Sequence, residues 1–491
     1  MDPITRMSGF DAGFLYLETP SVHMHTLKIA VLTPSPDNTF ENLIERMTER
    51  LPLMPPLRRR IVPVPFGLYH PLMVLAPTID PARHFFLHDI GGEGSMEDLH
   101  RAIGEVCSTP LERDVPLWEL HLCHGMADGR VAVVGKVHHA VADGLTASRM
   151  IATIMDVSSA DHRPPAPVEP DDTLPDPSPP RQVGSALRDA VRHLAGIPRL
   201  LITTLRQLVA LLRYRRRTGA QVPKLVLDAP RTSFNGPLTP RRTFASVTLS
   251  LADLKRARTL HADIEKLTLN DIVLAVVSGA LRTYLAAHDE VPHRSLLAGI
   301  PVSLEGHLPR DTGNNLTNLC TTLATDVDDP AERLRTISST THHAKAMSQL
   351  LGSSLMDWSQ LTPPAPFAAA VRAYSHTQAA RFFPPPFNVI VSNVPGPREP
   401  VKIGGAQLSE ILSVGPLTEG IGLNVTAWSY LDRMHFSLLA CPDLLDDVEA
   451  LAAHFPDALA ELLGEPMPGA TATPFSHDEP TERSRGAKET A

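Results

Sequence analysis

The segment best equipped for chemistry is His138-His139-Ala140-Val141-Ala142-Asp143-Gly144. A neutral imidazole titrates at about pH 6.5 and can take a proton from an alcohol at neutral pH. The alcohol can then attack a thioester carbonyl, and the same imidazole can return the proton to the leaving thiolate. This is direct acyl transfer, and it needs no covalent enzyme intermediate. The absence of a GxSxG nucleophile elbow from the sequence agrees with it. Asp143 is placed to hold the turn or to fix a histidine tautomer, and Gly144 ends the turn. The plainer alternative is a His-rich turn with only a folding role. Four defined positions match HHxxxDG, which chance supplies in roughly one of hundreds of chains this long. The sequence also holds a control. His342-His343-Ala344 begins in the same way, but Met347 and Ser348 stand where Asp and Gly would. That pair lies in a helical pattern and reads as structural.

The elements around the motif are legible. Val131 to Val137 is a Val-rich run read as a buried strand. Leu145 to Met155 is apolar at helical spacing, so the motif sits in a turn between strand and helix. Upstream, Leu27 to Leu32 reads as a strand and Glu41 to Leu51 as a helix. Downstream, Ala245 to Leu249 is a predicted strand, and Leu267 to Leu285 a long helix opening near Asn270-Asp271. Val389 to Val394 is a further strand, and Leu423 to Trp428 and Met434 to Ala440 form a late strand pair.

Other histidines and cysteines suggest no metal. Cys107, His121, Cys123 and His124 are close in sequence, but no ligand pair has a zinc-site spacing. His121 and Cys123 alternate as in a strand and share a face. His23 and His25 alternate too, as core or channel wall. The four cysteines include no CxxC pair and give no disulfide framework, which fits a reducing cytosol.

Composition bounds the function class. The chain has 491 residues, too many for one ordinary core, with 43% hydrophobic and 20% charged residues. That excludes a collagen, a coiled-coil rod and a wholly disordered chain. No apolar run reaches the roughly 20 residues of a bilayer crossing, and no secretory signal is recognisable. The net charge of −9 disfavours nucleic acid as a partner. The charge is uneven. Residues Arg181 to Arg217 carry nine Arg and one Asp, a local +8 that leaves −17 elsewhere.

Residues 161–230 separate two mixed regions. Pro164 to Pro180 holds eight prolines and four acidic residues, an extended linker. In the basic stretch Leu187, Val191, Leu194, Leu201, Leu205, Leu208 and Leu212 form one apolar helical stripe. Gly196 and Pro198 are expected to divide it into two helices. The stripe either packs on the protein with its arginines solvated, or touches anionic lipid, as basic amphipathic helices do. The domains expected are 1–160, carrying the motif, the 161–230 connection, and 231–465. Residues 466–491 are polar and read as a disordered tail.

The ordered motifs resemble the bacterial wax ester synthase/acyl-CoA:diacylglycerol acyltransferase family, within the CoA-dependent acyltransferase superfamily. The resemblance rests on Phe10-Asp11-Ala12 with Phe14-Leu15-Tyr16-Leu17-Glu18, His23-Met24-His25, Pro116-Leu117-Trp118-Glu119 and the HHxxxDG turn. Phe234-Asn235-Gly236-Pro237, Arg241-Arg242, Asn270-Asp271, Pro301-Val302-Ser303, Gly313-Asn314-Asn315 and Ser392-Asn393-Val394-Pro395-Gly396-Pro397 follow in order. It runs from about residue 8 to 460. The sequence departs from it at Leu304-Glu305-Gly306, where an acidic residue replaces an expected basic one.

The resemblance implies an α/β fold of two chloramphenicol-acetyltransferase-like lobes, each a mixed sheet flanked by helices, with a channel between them. It implies His139 as general base, with His138 and Asp143 supporting the loop. Asn270 would hold the oxyanion, or else cap its helix. Gly144, Trp118, Ser303 and Asn393 would line the channel. Long-chain acyl-CoA is then a substrate, with no further cofactor and no metal, and diacylglycerol or a long-chain alcohol is the acceptor. Lipid substrates would give Arg181 to Arg217 a reason to contact a membrane or lipid droplet. The protein is expected in the cytoplasm, either free or peripheral on the inner face of the plasma membrane. Three other readings use the same residues, and one is a peptide-synthetase condensation domain, which would normally sit beside carrier modules. His138 and Asp143 match the HxxxxD spacing of glycerol-phosphate acyltransferases, where the first His would be the base. A non-catalytic lipid carrier on the same fold is the non-enzyme reading.

Overall fold

Alternating apolar strands and amphipathic helices along the chain assemble two mixed sheets. The computed structural model describes residues 4–76, 78–141, 177–219, 229–303, 316–351 and 354–465. The first half runs β1 (Ile4–Arg6), α1 (Gly9–Leu17), β2 (His25–Leu32), α2 (Phe40–Arg50), β3 (Arg59–Val62) and β4 (Leu72–Leu75). It continues with β5 (Phe85–Asp89), α3 (Met96–Ser108), β6 (Trp118–His124) and β7 (Val131–His138). A helix, α4 (Pro179–Thr218), connects the halves. The second half runs β8 (Thr243–Ser250), α5 (Leu251–Leu260), α6 (Leu269–Ala287), β9 (Leu297–Ser303), β10 (Leu316–Thr322), α7 (Pro330–Leu351), α8 (Ser354–Ser359) and α9 (Pro364–His376). It ends with β11 (Val389–Val394), β12 (Lys402–Ile403), β13 (Ala406–Val414), β14 (Leu423–Tyr430), β15 (Arg433–Ala440) and α10 (Val448–Leu463).

Each lobe is built on a six-stranded mixed sheet. The first has the order β12-β13-β2-β7-β6-β5, the second β10-β9-β11-β14-β15-β8. The β5–β6, β9–β11 and β11–β14 pairs are parallel and the others antiparallel. A small sheet, β1-β4-β3, lies apart from both. The expectation of two mixed sheets flanked by helices is therefore met. The sheets nevertheless exchange a strand. Strands β12 and β13 come late in the chain, yet β13 pairs with β2 of the first lobe, from Val414 against Leu27 to Leu408 against Leu32. A division at residue 231 thus describes the chain but not the sheets.

The predicted elements near the motif form as read. Val131 to Val137 lies within β7, whose Ala132 and Val134 are fully buried against Leu27, Ile29 and Val31 of β2. The predicted long helix is α6, most of whose residues are buried in the second-lobe core. Leu423–Tyr430 and Arg433–Ala440 pair as an antiparallel hairpin. His342 and His343 lie inside α7, as expected of the structural pair. The Leu145 to Met155 helix, most of the Pro-rich linker and the 466–491 tail lie outside the described residues.

The connection differs from expectation in one respect and bears on two readings in another. α4 is one helix of 40 residues that passes through Gly196 and Pro198. Proline removes one helical N–H donor and crowds the preceding turn, and Pro198 is exposed, so the helix tolerates it without ending. Of the two readings of the apolar stripe, packing on the protein is not met among the described residues. Its residues are 47% (Leu208) to 64% (Val191) exposed. The helix docks by another face. Asp189 pairs with Arg6 at 2.6 Å, Ser185 accepts from Arg6 at 2.6 Å, and Ala186 is buried with Val64 and Tyr69. Farther along, Trp358 donates to Thr204 at 3.0 Å and Tyr214 meets His343 at 2.8 Å.

Candidate active site

Three backbone bonds shape the end of β7. The N–H of His138 donates to the Leu117 carbonyl (3.0 Å), that of His139 to Met24 (2.7 Å), and that of Val141 back to His138 (2.9 Å). The strand therefore stops at His138 and the chain turns with His139 at the corner. The neighbouring strand β2 sets His25 opposite His138.

The two histidines have different surroundings. His138 is 1% exposed, and burial pushes its pKa well below the ordinary range, with the Arg113 cation adding to the effect. Its Nδ1 accepts from the Ala140 N–H at 3.0 Å. An amide N–H can only donate, so the proton of the neutral ring is on Nε2. The His139 ring is half-buried and stacks on Phe14, with centroids 4.4 Å apart and planes 17° off parallel. Of the pair, His139 thus combines a surface facing out of the core with a fixed ring plane. Asp143 and Gly144 lie outside the described residues.

Helix α1 supplies the Phe14 platform. Ser8 caps it, accepting from the Asp11 N–H at 3.1 Å and donating to the Asp11 carboxylate at 2.6 Å. The apolar Met7 and Ala12 bury against Ala140 of the turn. Tyr16 donates to His70 Nδ1 at 2.9 Å, and His70 Nε2 donates to the Gln360 carbonyl at 3.1 Å. Glu18, just past the helix, pairs with Arg113 and places Oε2 3.7 Å from His138 Nε2. The early motif Phe10 to Glu18 is thus the element that touches both histidines. The sequence offered it only as part of a resemblance.

A buried polar cluster lies on the same sheet face. Lys136 is fully buried and bonds Glu119 at 2.9 Å and Thr109 at 3.0 Å. Burial lowers the Lys136 pKa while Glu119 raises it. Glu119 also meets His121 Nε2 at 3.1 Å, and His121 Nδ1 meets His88 at 2.8 Å. His25 bonds the Cys107 carbonyl at 3.1 Å. Burial lowers His25 well below its ordinary range, with Lys136 and His23 contributing, and brings His23 down to about 4. Cys107 and Cys123 are buried, and burial pushes both thiols up to about 12. Among the described residues no three His, Cys, Asp or Glu side chains gather as a metal site.

The second lobe brings two expected site residues together. Asn393 Nδ2 donates to Asn270 Oδ1 at 3.4 Å. Asn270 is not the helix cap. Thr268 caps α6 and forms a capping box with Asp271, because the hydroxyl and the carboxylate three residues on satisfy each other's backbone donors. The donor end of the Asn270 amide stays out of its bond with Asn393. Trp118 is placed differently from expectation. It is 2% exposed, donates its indole N–H to the Leu57 carbonyl at 2.7 Å and stacks on His84, so it is core and lines no accessible wall. Ser303 ends β9 opposite Leu316 of β10.

Several remaining motif residues hold the fold. Asn235 donates to the Asn388 and Gly420 carbonyls, both at 3.0 Å, and Phe234 is fully buried. Arg242 is buried and donates to the Ser21 carbonyl at 2.6 Å. Gly396 lies so close to the Ser429 carbonyl that a Cβ has no room.

Known proteins resemble the chain over most of its length. Residues 7–273 match the wax ester synthase/diacylglycerol acyltransferase catalytic domain, and residues 312–463 match the C-terminal domain of the same family. The provisionally named diacylglycerol O-acyltransferase Rv0221 of Mycobacterium tuberculosis is 39% identical over 457 residues, covering 91% of this chain and 93% of that one. A second mycobacterial protein of the same provisional name, Rv1760, is 31% identical over 474 residues, covering 93% and 90%. In solved structures the fold is similar to the wax ester synthase/diacylglycerol acyltransferase of Marinobacter aquaeolei VT8 (TM-score 0.63, 24% identity, 93% and 98% covered). It is also similar to the first condensation domain of the calcium-dependent antibiotic synthetase (TM-score 0.53, 14% identity, 94% and 97% covered). The chain is an acyltransferase belonging to the wax ester synthase/diacylglycerol acyltransferase family.

Proposed function

We propose that the protein transfers a long-chain acyl group from acyl-CoA to the free hydroxyl of diacylglycerol, forming triacylglycerol. The observation that carries this reading is the turn after β7, where a half-buried His139 is held by a backbone bond and an aromatic stack. His139 takes the hydroxyl proton as the oxygen attacks the thioester carbon. The tetrahedral adduct then expels the thiolate, which takes the proton back from the imidazolium, leaving an ester and free CoA. The donor end of the Asn270 amide, oriented by Asn393, would stabilise the oxyanion. The choice of diacylglycerol follows the names of the mycobacterial relatives. A long-chain alcohol presents the same hydroxyl, and the family description includes wax ester synthesis. Asp143 would support the loop, and Gly144 and Ser303 would border the substrate path.

The same reading includes a lipid surface as partner. Among the described residues two helices are long and apolar enough to cross a membrane, α4 and α6. α6 is a core helix, while the apolar window of α4 is wholly unburied. α4 is also tied to the protein from Ser185 to Tyr214, so it would lie on a lipid surface, with the arginines meeting anionic headgroups. This would place the enzyme at the cytoplasmic face of the membrane or on a lipid droplet.

The deciding experiment is a product analysis with oleoyl-CoA and an equimolar mixture of diolein and hexadecanol. Triacylglycerol should dominate with the intact protein and fall at least about 100-fold with His139→Ala. Ester formation by His139→Ala at close to the wild-type rate would overturn the base assignment. Loss with His138→Ala alone would favour the HxxxxD reading. CoA binding without any ester product would favour the carrier.

A further inference from the structure

Glu18 lies past the end of α1 and belongs to no part of the reaction just described. Its carboxylate is largely buried, with 11% of the side chain exposed. Burying a carboxylate is costly unless it is paired, and here the pairing is specific. Arg113 bonds Glu18 and also reaches the Leu15 carbonyl at 3.4 Å. The ion pair therefore ties the last turn of α1 to the segment leading into β6. Leu15 packs beside Leu111, Leu117 and Val141 at that joint.

The second neighbour of the carboxylate is His138. His138 must keep Nδ1 unprotonated, because the Ala140 N–H points at it. Its proton is then on Nε2, which makes no hydrogen bond among the described residues and lies 3.7 Å from Glu18 Oε2. That distance is too long for a hydrogen bond, but the charge still acts across it in a buried setting. A negative charge beside Nε2 favours the tautomer with hydrogen there. The opposite tautomer would set an Nδ1–H against the Ala140 N–H and open the turn that carries His139.

We propose that Glu18, held by Arg113, is a positioning residue for acyl transfer. It fixes the tautomer of His138 and so the placing of His139, while Phe14 on the same helix fixes the plane of the His139 ring. This rests on His139 being the base in the reading above. Catalysis is sensitive to such placement, since a shift of ~1 Å can cost ~100-fold in rate.

The test is steady-state kinetics of the full chain with oleoyl-CoA and diolein for wild type, Glu18→Gln, Arg113→Gln and His139→Ala, with Tm measured on each. Glu18→Gln keeps the shape and removes the charge. The expected result is a kcat lowered about 10- to 100-fold with the KM for oleoyl-CoA within about 2-fold. Arg113→Gln should lower kcat in the same way but less. A folded Glu18→Gln protein with kcat within about 2-fold of wild type overturns the proposal. So does a rise in KM with kcat unchanged, which would mark a loss of binding only. If Glu18→Gln does not fold, Arg113→Gln decides. A lowered kcat at constant KM supports the proposal, and an unchanged kcat overturns it. The His139→Ala arm separates the two readings. Near wild-type activity there removes the base assignment whatever Glu18 does, whereas a His139→Ala lowered at least about 100-fold beside a fully active Glu18→Gln removes only the positioning role.

Discussion

At the scale of single residues, two adjacent histidines have opposite assignments. His138 is a buried neutral ring whose nitrogen fastens a turn, and His139 is a half-buried ring stacked on an aromatic side chain. Replacing His139 by Ala should reduce transfer by about 10²- to 10⁴-fold, the usual worth of a general base, with little change in Tm. Stopped-assay kinetics beside a melting curve check both parts. Asn270 allows a sharper separation, because its neighbour Thr268 holds the capping role. Thr268→Ala should cost about 1 kcal/mol of stability and leave kcat near wild type. Asn270→Ala should do the reverse, lowering kcat by about 100-fold at nearly constant Tm. If Asn270→Ala behaves like Thr268→Ala, the oxyanion role is excluded.

At the scale of elements, α4 departs furthest from what its sequence suggested. Its leucines repeat at the spacing of an amphipathic helix, and a repeat alone cannot say which face meets the protein. The contacts that decide this are polar and distant in sequence, Arg6 to Asp189 and Tyr214 to His343. Leu201→Asp, Leu205→Asp and Leu208→Asp together should abolish co-sedimentation with phosphatidylglycerol vesicles, because these side chains are 52%, 62% and 47% exposed. CoA release with a short, soluble acceptor should stay within about 2-fold, since the three leucines lie outside the turn that carries His139. Reversing Arg215, Arg216 and Arg217 to Glu should weaken the same binding in a salt-dependent way. Unchanged vesicle binding in both variants would remove the lipid surface as partner of α4. The strands and α6 were readable because burial writes period-2 and period-3.6 patterns directly into the sequence. Trp118 was misplaced because an aromatic beside a motif looks the same whether it lines a path or fills a core. Glu18 and Phe14 were legible only by resemblance, as their partners lie about 100 residues away in the chain or beyond.

At the scale of the whole molecule, the crossover of β13 makes the two lobes one folding unit. Leu412 is fully buried in the first-lobe core although it comes late in the chain. Leu412→Ala should cost about 2–5 kcal/mol, and calorimetry should show both lobes melting together at a lower temperature. Two separated transitions would contradict this. Acid should act on the same cooperative unit. Among the described residues burial lowers nine imidazoles below their ordinary range: His23, His25, His70, His84, His88, His100, His121, His138 and His435. Three of them, His23, His70 and His100, fall to about 4. Between about pH 4 and 6.5 the unfolded chain therefore binds protons that the folded chain refuses, so stability rises with pH across that window. It is fully present above about pH 6.5 and is lost as the pH falls toward 4. Asp271, Glu419 and Glu449, raised by burial, act in the opposite sense but are fewer. Each tenfold loss of proton affinity on folding is worth ~1.4 kcal/mol, so a few such rings amount to a large part of a typical folding free energy. Tm should accordingly drop between pH 7 and pH 5, and His100→Gln, which removes one ring with a depressed pKa, should make that drop smaller. A Tm unchanged over this range would mean that these rings are protonated in the folded protein, and the neutral His138 that fastens the turn carrying His139 could not then be sustained.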